Sequence, residues 1–244
     1  MLLVSVFGIG LIGAIIGYLS GAASVFTYPA LLMLGFPPVI ANTTNVISNI
    51  GGSTGTTIAA FRQIRQVRSY PRWPQYLIGA AGGALGGYLL LVADPGVFEA
   101  VVPWLVLFSV LSVVIAPILH RLGRRVNIGT GAFMVLVFIV GIYSGYFGAA
   151  SAILYMAMAR LLTNMTTREA LVMKAPVTLG ANLVAGIYYA AMGAVDYPAA
   201  LSMMAGGIVG GWIGPKLGRF FSDRVINILI LIFGLALFFW LLLR

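Results

Sequence analysis

Lys174, Thr178 and Asn182 fall at every fourth position and therefore share one face of a helix. At an offset of 129 residues, Asn45, Asn49 and Ser53 repeat that stripe, and Thr44 and Ser48 widen it. These side chains can all donate hydrogen bonds, none is a carboxylate, and Lys174 adds a full positive charge. Such a set suits an anion or a neutral polar solute. A plainer reading of Lys174 stands beside this one: its stem lies along apolar surface while its ammonium snorkels to the membrane interface. Two matching stripes must aim somewhere, and lipid is a poor destination for them.

A second pair of matching segments supplies backbone donors. Gly21-Ala22-Ala23-Ser24 recurs as Gly148-Ala149-Ala150-Ser151, 127 residues on. A helix restarting after either segment presents free N–H groups and the positive end of its dipole, which favour an anion. The candidate substrate-binding set is therefore Gly21, Ala22, Ala23, Ser24, Thr44, Asn45, Asn49, Gly148, Ala149, Ala150, Ser151, Lys174, Thr178 and Asn182. Tyr18, Tyr28, Tyr146 and Tyr155 lie nearby, but a membrane tyrosine is more often a packing or interface residue than a ligand.

Other chemistries lack their parts. The five acids (Asp94, Glu99, Glu169, Asp196 and Asp223) fall at the ends of apolar stretches, His120 sits among arginines, and cysteine is absent. A nucleophile–histidine–acid triad or a Cys/His metal site has no material here. Proton pumps and cation carriers generally place an acid or histidine inside the bundle. The chain reads as no enzyme, with no metal and no cofactor.

These residues need a membrane to position them. Of 244 residues 61% are hydrophobic and 8% charged, and the mean hydropathy is +1.06. Stretches long enough to cross run over 41–61, 75–93, 100–119, 170–192, 198–214 and 225–243. Regions 2–34 and 128–162 are too long for one crossing and short for two. Each is interrupted in its middle, at Ser20–Ser24 and Ser144–Ser151. Both are expected to be hairpins that enter the membrane, break and return. Met1–Tyr18 has no basic flank, and the Gly-Ala-Ala-Ser after it recurs internally, so no signal peptide is read.

Charge orders the segments. Fourteen Lys+Arg oppose five acids, for a net charge of +9, and the basic residues cluster in short loops. This is an orientation signal and no nucleic-acid footprint. With two hairpins, the clusters at Arg62–Arg72, Arg121–Arg125, Arg160–Arg168 and Lys216–Arg224 all fall on the cytoplasmic side. Each half then has one hairpin and three spans, an odd number, so the halves face opposite ways. The expected fold is all-α: a polytopic inner-membrane protein of two inverted repeats, residues 1–125 and 126–244, each a re-entrant or broken helical hairpin plus three transmembrane helices, with both termini outside. Ala81-Gly82-Gly83-Ala84-Leu85-Gly86-Gly87 and Ala205-Gly206-Gly207-Ile208-Val209-Gly210-Gly211 also match, 124 residues apart, and read as close-packing helix faces.

The whole chain resembles the sulfite exporter TauE/SafE family, also called the 4-toluene sulfonate uptake permease family. The likeness rests on the Gly-rich break, Pro29 and Gly35, then Ala41-Asn42-Thr43-Thr44 and the double-glycine span. In the second copy it rests on Ser144–Ser151 and Gly193-Ala194-Val195-Asp196-Tyr197. The resemblance implies a secondary transporter of sulfite, a sulfonate or a related small anion, usually exporting it. The residues alone also admit a carrier or channel for another small anion or neutral solute, or a membrane assembly subunit. Expected partners are the small anion and lipid, with no nucleic acid; a second copy of the chain is admitted.

Overall fold

The computed structural model describes residues 1–121, 126–217 and 223–243. Arg124, Arg125 and Arg219 lie outside the described residues, as do the side chains of His120, Arg121, Asp223 and Arg224. Eleven helices are found among the described residues: α1 (Leu2–Ser20), α2 (Ala23–Met33), α3 (Pro38–Ala59), α4 (Phe61–Ile64), α5 (Arg72–Val92), α6 (Pro95–Arg121), α7 (Gly129–Tyr146), α8 (Ser151–Leu162), α9 (Thr167–Ala191), α10 (Tyr197–Leu217) and α11 (Asp223–Leu242). Five of them (α1, α5, α6, α7 and α9) are long and apolar enough to cross a membrane. Each stretch expected to cross coincides with a helix, and of these α5, α6 and α9 are among the five. Helix α3 starts earlier than expected because Pro38 takes its first turn, where a missing N–H costs nothing.

The two breaks fall where the small residues stand, but the hairpin legs are unequal. Helix α1 has 19 residues and α2 has 11; α7 has 18 and α8 has 12. The first leg is thus about 28 Å, close to a full crossing, and the second about 17 Å. Gly21, at φ 79°, ends α1 with its N–H on Gly17 O at 2.8 Å. This left-handed cap is cheap only for a residue without Cβ. The sites on Gly13 and Gly17 where a Cβ would lie face Thr27 and Ala23, so α2 folds back along α1. At the second break Gly148 (φ 81°) and Ala150 (φ 60°) are both left-handed. Val126 N and Ile128 N donate to Leu161 O and Leu162 O, so the α7–α8 hairpin returns to the end it left.

The double-glycine helices are the mechanical centre of the fold. Gly82 and Gly86 of α5 press against Phe138 and Ile142 of α7, while Gly83 and Gly87 press against Ala181 and Ala185 of α9. Gly206 and Gly210 of α10 lie on Phe7 and Leu11 of α1, and Gly207 and Gly211 on the α3 backbone around Gly52. A Cβ at any of these positions meets a neighbouring helix at or inside normal contact distance. The helix that follows α3 and α4 in sequence therefore beds between α7 and α9, and the one that follows α9 beds between α1 and α3. Along α3 and α9 the contacts run in reverse order, Ser53 with Thr178 and Ile47 and Ile50 with Gly186, so these two helices are antiparallel.

The two ends of the bundle close with polar locks between distant segments. At one end Ser69 donates to Glu169, whose other oxygen accepts from Thr166 N. Ile64, Val67 and Tyr70 share a buried cluster there with Ala159, Met165 and Ala170. The arginine loops on either side of α4 and between α8 and α9 thus lie together. At the other end the Ala194–Asp196 turn meets α3, with Thr43 donating to Ala194 O and Asp196 N to Thr44 Oγ1.

Candidate functional site

The tips of the two hairpins meet inside the bundle. A Cβ at Gly21 would touch Ile153 and the backbone of Ala152, one turn into α8. Beside this junction is a cavity of about 70 Å³, several times what one water needs. Both half-helices open onto it with their first two residues: Ala23 and Ser24 from α2, Ser151 and Ala152 from α8. Neither helix has a side-chain cap, and the first N–H groups of a helix have no partner within it. Helices α3 and α9 contribute the remaining polar wall.

Lys174 is 2% exposed and points inward, so it does not snorkel. Its Nζ donates to Tyr18 O at 2.7 Å and Gly17 O at 3.3 Å, the last carbonyls of α1, and stands 5.7 Å from the Tyr18 ring centre. A cation at a helix C-terminus is favourably placed against the dipole and against unpaired carbonyls. Among the described residues no carboxylate lines the cavity. One turn on, Thr178 Oγ1 donates to its own helix at Lys174 O and approaches Ser53 Oγ of α3 at 3.5 Å. Asn182 Oδ1 accepts from Ser144 Oγ at 2.9 Å, and Ser144 is 3.2 Å from Ser151 Oγ. Across the cavity Asn49 Nδ2 donates to Ser24 Oγ at 2.9 Å.

Of the residues expected from sequence, the cavity gathers Gly21, Ala23, Ser24, Asn49, Gly148, Ser151, Lys174, Thr178 and Asn182. It does not gather Ala22, Ala149 or Ala150, which are buried in the turns themselves. Thr44 faces the Asp196 turn instead, and Asn45 Oδ1 accepts from Thr27 Oγ1 while its Nδ2 stays buried without a partner. Thr27, Ser48, Ser53 and Thr56 join the lining, with Gly10, Gly13, Gly17 and Gly52 forming a bare backbone wall. Thr56 extends the Ser48–Gly52 row by one more turn, a continuation readable in the sequence. Thr27 has no such signal, since only the fold-back of α2 brings it in.

This wall is rich in neutral donors, carries one cation and lacks any acid, so it can hold a small polar or anionic solute. Comparison with known proteins gives the same class. Over 237 residues the chain is 26% identical to a "probable membrane transporter protein ORF9" of Sinorhizobium sp., covering 97% of this chain and 90% of the relative. It is 26% identical to a "probable membrane transporter protein" of Haemophilus influenzae (88% and 85% covered). A protein of the same name from Xylella fastidiosa is also 26% identical, over 96% and 91%. No solved structure matches. Residues 6–241 match the sulfite exporter TauE/SafE family, and the chain, a multi-pass helical membrane protein, belongs to it.

Proposed function

We propose that the chain is a secondary transporter that carries a small sulfur-containing oxyanion, sulfite or a sulfonate, out across the inner membrane. The observation that supports it most is a buried ammonium in a polar cavity without a carboxylate. A buried charge needs a partner, and an anionic substrate is the partner this cavity invites. Ser24, Asn49, Ser151, Thr178 and Asn182 supply hydrogen bonds around it, and the two half-helix N-termini face it from opposite hairpins.

The transport cycle is read as alternating access by two inverted copies, residues 1–125 and 126–244, around a site where the hairpins meet. The antiparallel course of α3 and α9 and the meeting of both breaks at one cavity support this reading. The grouping of the Arg62–Arg72 and Arg160–Arg168 loops at one end supports a cytoplasmic face there, with the termini outside. The test is flux of labelled sulfite and methanesulfonate through proteoliposomes, with and without imposed pH and electrical gradients. Gradient-responsive flux that depends on Lys174 is expected. No flux of either compound above empty liposomes would remove the reading.

A further inference from the structure

Charge at the cavity can be counted, because so few groups carry any. Among the described residues the only ionised side chain lining it is Lys174. Glu169, the acid of the same helix, is held at the bundle end by Ser69 and Thr166. The backbone adds little net charge. At each break a helix C-terminus is followed within a few residues by a helix N-terminus: α1 ends at Ser20 where α2 begins at Ala23, and α7 ends at Tyr146 where α8 begins at Ser151. Dipole ends of roughly half a charge, opposite in sign and side by side, largely cancel. What remains is one positive charge. Two of the three Lys174 N–H groups are taken by Gly17 O and Tyr18 O, which leaves one for a ligand.

We infer that the cavity selects by charge: it takes an oxyanion bearing one negative charge and rejects one bearing two, so of the two forms that sulfite takes near neutral pH it carries hydrogensulfite. This rests on the anion-transport reading given above. A singly charged headgroup makes the loaded cavity neutral. A doubly charged one of the same shape leaves an unmatched negative charge away from water, and neutral hydroxyls and amides cannot compensate it fully. Methanesulfonate and sulfate separate charge from shape, since both are compact tetrahedral groups.

Purified protein in proteoliposomes is loaded with labelled methanesulfonate, and its exchange is challenged with external methanesulfonate, nitrate or sulfate. Methanesulfonate is expected to compete roughly a hundredfold or more better than sulfate. Lys174→Arg, which keeps the charge, retains that preference, and Lys174→Gln, verified as monodisperse in detergent, loses the preference and needs roughly a hundredfold more methanesulfonate for exchange. Sulfate competing as well as methanesulfonate would overturn the charge rule. So would an unchanged preference in Lys174→Gln. If the vesicles exchange labelled nitrate and exclude both sulfate and methanesulfonate, the charge rule stands and the sulfur substrate falls.

Discussion

The two hairpin breaks solve one problem with different chemistry. Each leaves carbonyls bare at the end of a long first leg, deep in the protein. After α7 the acceptors are met by neutral groups: Tyr146 O takes Asn42 Nδ2 at 2.9 Å, and Gly145 O takes the Tyr189 hydroxyl. After α1 Tyr18 O is met by a cation, Lys174, from the opposite half of the chain, which also reaches Gly17 O, already the acceptor of the Gly21 N–H. Backbone shape differs as well, since the first turn places only Gly21 at positive φ and the second places both Gly148 and Ala150 there. The neutral break is a structural joint. The charged one ties α9 to the end of α1 and also leaves a net charge facing the cavity.

The sharpest way to break this contrast is to neutralise the cation. Lys174→Gln keeps a hydrogen-bond donor for Gly17 and Tyr18 but no charge. The half-saturating concentration for methanesulfonate should rise roughly a hundredfold, with Lys174→Arg largely spared. A near-normal value in Lys174→Gln would make the two breaks equivalent. Asn42→Ala and Tyr189→Phe probe the neutral joint. Each strips a partner from a buried carbonyl and should lower unfolding stability in detergent by about 1–3 kcal/mol, with half-saturation unchanged. If either shifted half-saturation as Lys174→Gln does, the division of labour would be wrong.

Smaller effects sharpen the comparison. Ser24→Ala and Ser151→Ala occupy matching places at the two half-helix starts and both line the cavity. Each should weaken methanesulfonate exchange by about tenfold or less, the loss of one hydrogen bond. Equal losses would mean the ligand sits between the tips, and a loss confined to one serine would mean it rests on that half. The smallest effect is expected at Ala150, left-handed at φ 60°. Ala150→Gly removes a steric cost and should stabilise the fold by roughly 0.5–1 kcal/mol, read as a higher midpoint in thermal unfolding. Gly21→Ala should act in the opposite direction and by more, because its Cβ would also press on Ile153.

Much of this was legible in the residues, and the limits have physical causes. Gly21 and Gly148 announced the breaks because few residues but glycine end a helix left-handed. The stripe of Lys174, Thr178 and Asn182 was legible because helical period is a local property. Where a stripe stops being useful is a property of its neighbours. Asn49 reaches the cavity, whereas Asn45, one turn earlier, is taken by Thr27. Which helix each double-glycine face would meet was equally invisible, since small-residue faces announce close approach without naming the partner. The unequal hairpin legs followed from where one glycine cap fell in each long apolar run, which places the turn past the midpoint.

The bedding of α5 between α7 and α9, and of α10 between α1 and α3, sets what can move. Glycine backbones in van der Waals contact do not slide past one another without opening a void, so each trio is packed as one piece. These packed units interleave the two sequence copies, each borrowing one helix from the other. One piece consists of α1, α3 and α10, the other of α7, α9 and α5, and the chain crosses from piece to piece at the loops around α4 and after α9. Lys174, rooted in the second piece and bonded to the end of α1 in the first, spans the seam between them. Any displacement of one piece against the other would lengthen that bond or carry the ammonium with it.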